Sequence, residues 1–346
     1  MSKSKAKKKA KKSTKKTKII GIGVALAILV VGVMVYSMQK YSGEAKWIYI
    51  DKNYSDQQLH DSLTNKLGDF GDKVYSMWSL MGGDILNSSG AYKIDQGASL
   101  WRVSRNISKG NQSPVTVTFN NVRTMEQLAQ RVSKKMKFDE KDFLQACDSV
   151  LTREGFAPEE FSAAFFPDSY EFYWNATPQS VVEKMLKYYR KYWDDEKVKK
   201  ARSMGLTPAQ VSTLASIVEE ETNKIDERPK VARLYLNRLD KGMKLQADPT
   251  LKFAMNDFTI RRMLNEYLKT ESPYNTYKYE GLPPGPIRIV DKKTLDAVLN
   301  APAHDYTYMC AKEDFSGYHN FAADYEEHKA NAKRYQEELD RRNIKK

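Results

Sequence analysis

Twenty consecutive residues without a charge, Ile19 to Met38, constrain this chain more than any other stretch. At 1.5 Å rise per residue a helix of that length spans about 30 Å, the thickness of a bilayer's hydrocarbon core. The residues before it, 1–18, carry ten lysines and no acid. Such a flank holds the N-terminus in the cytoplasm and sends the chain beyond Gln39 across the membrane. A cleaved signal peptide is the rival reading. Its apolar region would be about 7–15 residues, closed by a small-residue cleavage site, whereas this run ends Val-Tyr-Ser-Met-Gln-Lys. The expectation is an uncleaved, single-pass anchor in the cytoplasmic membrane.

The anchor also disposes of the charge. Of a net +13, ten units belong to the tail, which leaves +3 for the other 328 residues. The basic balance therefore reports topology and attraction to anionic lipid, not a nucleic-acid face. Cys147 and Cys310 are far apart and read as buried free thiols, with one disulfide as the alternative. His60, His304, His319 and His328 are scattered, so neither a metal site nor a cofactor is expected.

Beyond the anchor the pattern is α+β, in two parts. Over 45–135 short strands (Trp47–Ile50, Tyr92–Ile94, Val115–Phe119) alternate with helices opened by Ser55-x-x-Gln58, near Ser99, and by Thr124-x-x-Gln127. This half offers no cluster of catalytic residue types, so binding or spacing is its expected role. The second part, 140–346, begins with helices at Lys141–Thr152 and Pro158–Ala164. A long helix from Pro178 to about Arg202 comes next, capped by Thr177. Its Tyr188, Tyr189, Tyr192 and Trp193 could stack on sugars, but rings at helical spacing are more often core. Another helix runs from Pro229 to about Lys241, and Tyr306–Ala311 reads as a buried strand.

Between those helices lies L-A-S-I-V-E-E-E-T, Leu214 to Thr222. Thr207 and Gln210 form a capping box with Pro208 at the first helical position. Stepping 100° per residue from Val211, Leu214, Ala215, Val218 and Thr222 form one buried stripe. Glu220 falls opposite it, towards water, while Glu219 and Glu221 sit on its two shoulders. Burial, neighbouring carboxylates and the negative end of the helix dipole all oppose ionisation there. That combination yields a general acid protonated near neutral pH, or merely a charged helix end paired with Lys224, Arg228 or Lys230. Periodicity does not choose between Glu219 and Glu221. The loops at 245–250, 272–277 and 281–287 add amides, hydroxyls and rings that suit carbohydrate, although Asp248 and Asn275 equally suit turn-capping.

V-E-E-E-T, N-R-L, L-Q-A-D-P-T, S-P-Y-N-T-Y, G-L-P-P-G-P-I and His319-x-Phe321 occur here in one order. Together with F-P-D-S-Y-E-F at 166–172 they resemble the YceG-like endolytic murein transglycosylases over about 160–335. The resemblance implies a LysM-like membrane-proximal module and a catalytic domain of mixed helices and strands. It implies cleavage of the MurNAc-β-1,4-GlcNAc bond within peptidoglycan strands, leaving 1,6-anhydroMurNAc ends, and partnership with glycan-polymerising synthases. It puts the catalytic acid at Glu219, and makes Gln246, Asp248, Thr250, Tyr274, Asn275, Thr276 and His319 candidates for the substrate cleft. F-N-N-V-R-T at 119–124 departs from the family's I-P-E-G-W-T-like stretch. A hydrolytic muramidase using Asp248 as second carboxylate, and a non-catalytic wall-binding scaffold, are the alternatives.

Overall fold

The computed structural model describes residues 2–260 and 263–342, with side chains from residue 20 onward. The side chains of the basic tail and the last four residues of the C-terminal segment lie outside the described residues. The chain divides into two compact units, Met1–Val115 with Tyr173–Asn175, and Thr116–Phe172 with Ala176–Lys346. Residues 116–135 therefore pack with the second unit.

The first unit starts with helix α1 (Ser2–Ser37), whose apolar window Ile20–Ser37 has mean hydropathy 2.5 and is unburied. Strands β1 (Lys46–Ile50) and β2 (Gly90–Ile94) pair antiparallel, Lys46 opposite Ile94 and Ile50 opposite Gly90. Between them lie α2 (Asp56–Leu67), α3 (Asp69–Leu80) and the single turn α4 (Ile85–Ser88), and α5 (Leu100–Ser108) comes after β2. Ser55 and Gln58 close the expected capping box, and Ser99 caps α5. Leu59, Leu63, Val74, Leu100 and Ile107 meet Ile48 and Ile50 in one core. The exit from α1 is stitched into this unit. Leu100 N–H donates to Gln39 O (2.8 Å), Tyr41 N–H to Ala98 O (2.9 Å) and Gly97 N–H to Tyr41 O (2.7 Å).

In the second unit β3 (Val115–Phe119) and β4 (Asp168–Phe172) make a two-stranded sheet. Around them come α6 (Met125–Ser133), α7 (Glu140–Arg153) and a 3-10 segment at Pro158–Ala164. The single long helix expected over 178–202 is two helices, α8 (Pro178–Tyr192) and α9 (Asp195–Ser203). Asp194 breaks it by accepting from Lys197 N–H as a new N-cap. The rings of α8 are core, since Trp193 is buried and Tyr189 and Tyr192 pack beside it. Next come α10 (Pro208–Glu221) and α11 (Arg228–Asp240). The stretch expected to be loop at 245–250 turns into α12 (Asp248–Ala254), with Pro249 in its first turn. Helix α13 (Lys292–Leu299), the antiparallel pair β5 (Tyr308–Ala311) and β6 (His319–Ala322), and α14 (Tyr325–Arg341) complete it. Strand β5 is half-buried at all four of its residues rather than fully buried.

Candidate active site

Helix α10 is the axis of the second unit. Every residue from Val211 to Glu219 is buried. No polar group is stranded by this, because Ser212, Thr213 and Ser216 donate back to carbonyls three or four residues earlier. Ser216 Oγ also accepts from Ile287 N–H at 3.0 Å, fixing the 281–290 segment against the helix. Val211, Leu214, Ile217 and Val218 are fully enclosed, each contributing about 1.5–3 kcal/mol by leaving water. The Thr207–Gln210 capping box forms as expected, at 2.9 and 3.1 Å.

The three glutamates at its end meet three different surroundings. Glu219 Oε2 accepts from Thr294 Oγ1 (2.5 Å) and Asp291 N–H (3.2 Å). Arg228 Nη1 lies 3.6 Å from the same oxygen and Arg288 Nη2 lies 3.3 Å from Oε1. Glu219 is thus held by two hydrogen bonds and two guanidinium groups. Glu220 does not face water, contrary to the helical-wheel expectation. It binds Arg288 Nη1 at 2.7 Å and Arg123 Nη2 at 2.9 Å. The helix is wrapped on all sides, and chain segments distant in sequence bring arginines to the face that the wheel leaves open. Arg228, Glu219, Arg288, Glu220 and Arg123 thus alternate in one chain of charge.

Glu221 lines a cleft. The cavity, about 390 Å3, is lined by Glu221, Tyr235, Gln246, Asp248, Tyr277 and His319, among others, and such a volume suits a small part of an extended ligand. Tyr235 Oη donates to Glu221 Oε1 at 2.7 Å. Burial pushes the Glu221 carboxyl up to about 7, aided by the charge of Asp248 and opposed by the Tyr235 hydrogen bond, His319 and Lys252. This is a carboxylic acid that holds its proton near neutral pH beside open space.

His319 reaches the cleft from β6 with its other side tied down. Its Nδ1 lies 2.9 Å from Glu227 Oε2, and its backbone N–H donates to Glu227 Oε1 at 2.7 Å. Thr222 Oγ1 donates to Glu227 Oε2 at 2.9 Å. Burial would raise the Glu227 carboxyl, but these hydrogen bonds hold it below its ordinary value. Among the described residues no three His, Cys, Asp or Glu side chains are grouped to hold a metal ion.

The YceG-like family model matches residues 48–334. This chain belongs to the YceG-like family. The chain is 27% identical over 244 residues to the endolytic murein transglycosylase of Bacillus subtilis, covering 65% of this chain and 67% of that one. It is 27% identical over 263 residues to the endolytic murein transglycosylase of Streptococcus pneumoniae D39, covering 64% of this chain but only 46% of the relative. A crystal structure of a yceG-like protein from Listeria monocytogenes superposes with TM-score 0.56 at 23% identity, covering 83% of this chain and 98% of that one. That likeness carries the fold.

The candidate cleft residues of this YceG-like chain separate into two groups. Gln246, Asp248 and His319 line the cavity. Thr250, Tyr274, Asn275 and Thr276 stand behind its wall. Thr250 Oγ1 and Thr276 Oγ1 are 2.9 Å apart, and Thr276 Oγ1 accepts from Ala247 N–H at 3.0 Å. Asn275 is fully buried and donates its amide hydrogens to Leu268 O and Thr270 O. Tyr274 packs on Phe253, ring centroids 4.8 Å apart. Thr250 and Thr276 join the 245–250 and 272–277 segments, Gln246 N–H donates to Thr276 O at 3.1 Å, and Gln246 sits at φ 53°, a left-handed conformation that costs a non-glycine residue energy. Three further residues of the cleft, Tyr235, Tyr277 and Arg238, are not expected from the sequence. Tyr277 donates to Asp248 Oδ1 at 2.5 Å and Arg238 Nη2 to Gln246 Oε1 at 2.5 Å. The sequence does carry a signal for both, since Tyr277 ends S-P-Y-N-T-Y and Arg238 is the centre of N-R-L. Cys147 is buried and Cys310, on β5, is half-buried; both are free.

Proposed function

We propose that this chain is a membrane-anchored endolytic lytic transglycosylase, with Glu221 rather than Glu219 as its acid and then its base. The reading rests on one observation above the rest: Glu221 is a carboxyl raised to about 7 that opens into a cleft. It protonates the oxygen leaving C1 of an internal MurNAc as an oxocarbenium-like centre develops. Its carboxylate then takes the proton from that sugar's C6 hydroxyl as the oxygen closes on C1. The products are a GlcNAc-ended strand and a 1,6-anhydroMurNAc end, and no water is consumed. The names of the Bacillus and Streptococcus relatives support the substrate and the reaction. The apolar window of α1 and the lysine-rich tail support an anchor with the N-terminus cytoplasmic and the chain after Gln39 outside. Cutting a strand that is still being polymerised would end its growth, which suits partnership with synthases.

Asp248 in the same cleft supports a second reading, hydrolysis with Asp248 as base or nucleophile. Digestion of intact sacculi by the full chain separates them by mass. Transglycosylation yields ends lighter by one water than the reducing ends of hydrolysis, and a majority of reducing ends would reject the first reading.

The required proton also sets a pH profile. Above about pH 7 Glu221 loses it, so kcat/KM is expected to fall along an alkaline limb centred near that value. His319→Ala removes a charge that lowers the Glu221 carboxyl, so the limb should move to higher pH. A limb that stays in place, with only the amplitude reduced, would mean that His319 acts on substrate alone.

A further inference from the structure

The first unit carries apolar side chains that its own core does not use, and they gather beside the upper part of α1. Trp101 on α5 is 50% exposed and Leu80, at the end of α3, is 73% exposed. Trp101 and Ser99 share an apolar groove with Val30, Val33 and Met34 of α1. On the other flank of the helix, Leu80 and Met77 share a groove with Gly32, Val33 and Tyr36.

Depth comes from helix geometry. Val30 precedes Met38, the last residue of the apolar run, by eight positions, or about 12 Å along the axis. The run is no longer than the hydrocarbon core is thick, so Val30 to Met38 fill its outer part. The Trp101 groove runs from Val30 through Met34 and Met38 to Lys40, so it spans from that depth up to the headgroups. The unit is not free to lift away, because residues 39–41 are hydrogen-bonded to residues 97–100 directly after the helix. Lys40 lines the Trp101 groove and Lys73 Nζ donates to Gln39 Oε1 at 2.8 Å, which sets two ammonium groups at headgroup level.

We propose that the first unit is seated in the outer leaflet of the membrane, Trp101 and Leu80 inserted at the boundary of headgroups and acyl chains and Lys40 and Lys73 facing lipid phosphate. An indole at that boundary keeps its ring among chains and its N–H among headgroups. The seat rests on the anchor reading of α1, and the test separates the two. The full chain is reconstituted in phosphatidylglycerol–phosphatidylcholine vesicles with bromine on the upper acyl carbons. The emission of Trp101 is taken as the difference between the unaltered chain and Trp101→Phe. Met34→Trp in the Trp101→Phe background reports α1 itself, Met34 being 63% exposed.

Brominated lipid is expected to quench the emission at both positions relative to unbrominated vesicles. Quenching at position 34 without quenching at Trp101 overturns the seat and leaves the anchor standing. Loss at neither position overturns both. A Trp101 signal indifferent to brominated lipid but altered by soluble glycan fragments overturns the seat in favour of sugar binding by this unit.

Discussion

Glu221→Gln should abolish cleavage of glycan strands, by at least about a thousand-fold, since it removes both the acid and the base of the proposed reaction. The amide keeps the shape of the side chain and can still accept from Tyr235, so the variant should fold. Its stability carries a second signature. The folded carboxyl sits near 7, above its ordinary value. The folded protein therefore holds this proton more tightly than the unfolded chain does. Stability from that source is present below the unfolded value, is lost as pH rises towards 7, and is a full penalty above it. The penalty is at most about 3.5 kcal/mol, less what water in the cleft screens. Glu221→Gln escapes it, so its melting temperature should exceed that of the parent at pH 8, and the gap should narrow towards pH 4.5. Scanning calorimetry across that range, beside product analysis, tests both statements. Normal cleavage by Glu221→Gln would end the assignment.

Glu219→Ala should do the reverse kind of damage. It strips the shared counter-charge from Arg228 and Arg288, whose side chains are only 12% and 13% exposed, and leaves Thr294 and the Asp291 amide without their acceptor. Breaking one partner of a buried ion pair costs about 3–5 kcal/mol, and because Glu220 still holds Arg288 the lower end applies here. The midpoint of chemical denaturation should fall accordingly. Glu219→Gln, studied well below its melting temperature, should still cleave within about ten-fold of the parent rate. If that variant folds normally and is as dead as Glu221→Gln is expected to be, the roles assigned to the two acids are exchanged.

The same pair of residues shows how far the sequence can be read. Local rules are legible: the boxes at Ser55 and Thr207, the strand Val115–Phe119, the buried stripe of α10 and the overall α+β pattern. Each depends on residues within a few positions of one another. Periodicity locates both Glu219 and Glu221 on the shoulders of the stripe, and the resemblance to known motifs favours the first. What separates them is the company each keeps. Arg228 lies close by in the chain, but Arg288 and Thr294 are some seventy residues away and Arg123 nearly a hundred. No local pattern announces which shoulder arginines will cover and which will meet Asp248 and His319. The break at Asp194 is hidden for a related reason, since one capping side chain outweighs a helical pattern that otherwise continues. Helix α13 packs against α10 and α11, some seventy residues earlier, and leaves a weaker mark.

Helix α10 begins at a locked cap and is buried from Val211 to Glu219, so its packing fixes its rotation and its register. Each added or removed residue turns everything after it by about 100°. A one-residue deletion anywhere between Thr207 and Glu219 would swing the three acids out of their separate sockets together, sending a charge into the core. The helix is therefore a ruler as well as a support. Its side chains can be exchanged at many positions, but its fourteen-residue length is the one property that no compensating substitution elsewhere could restore.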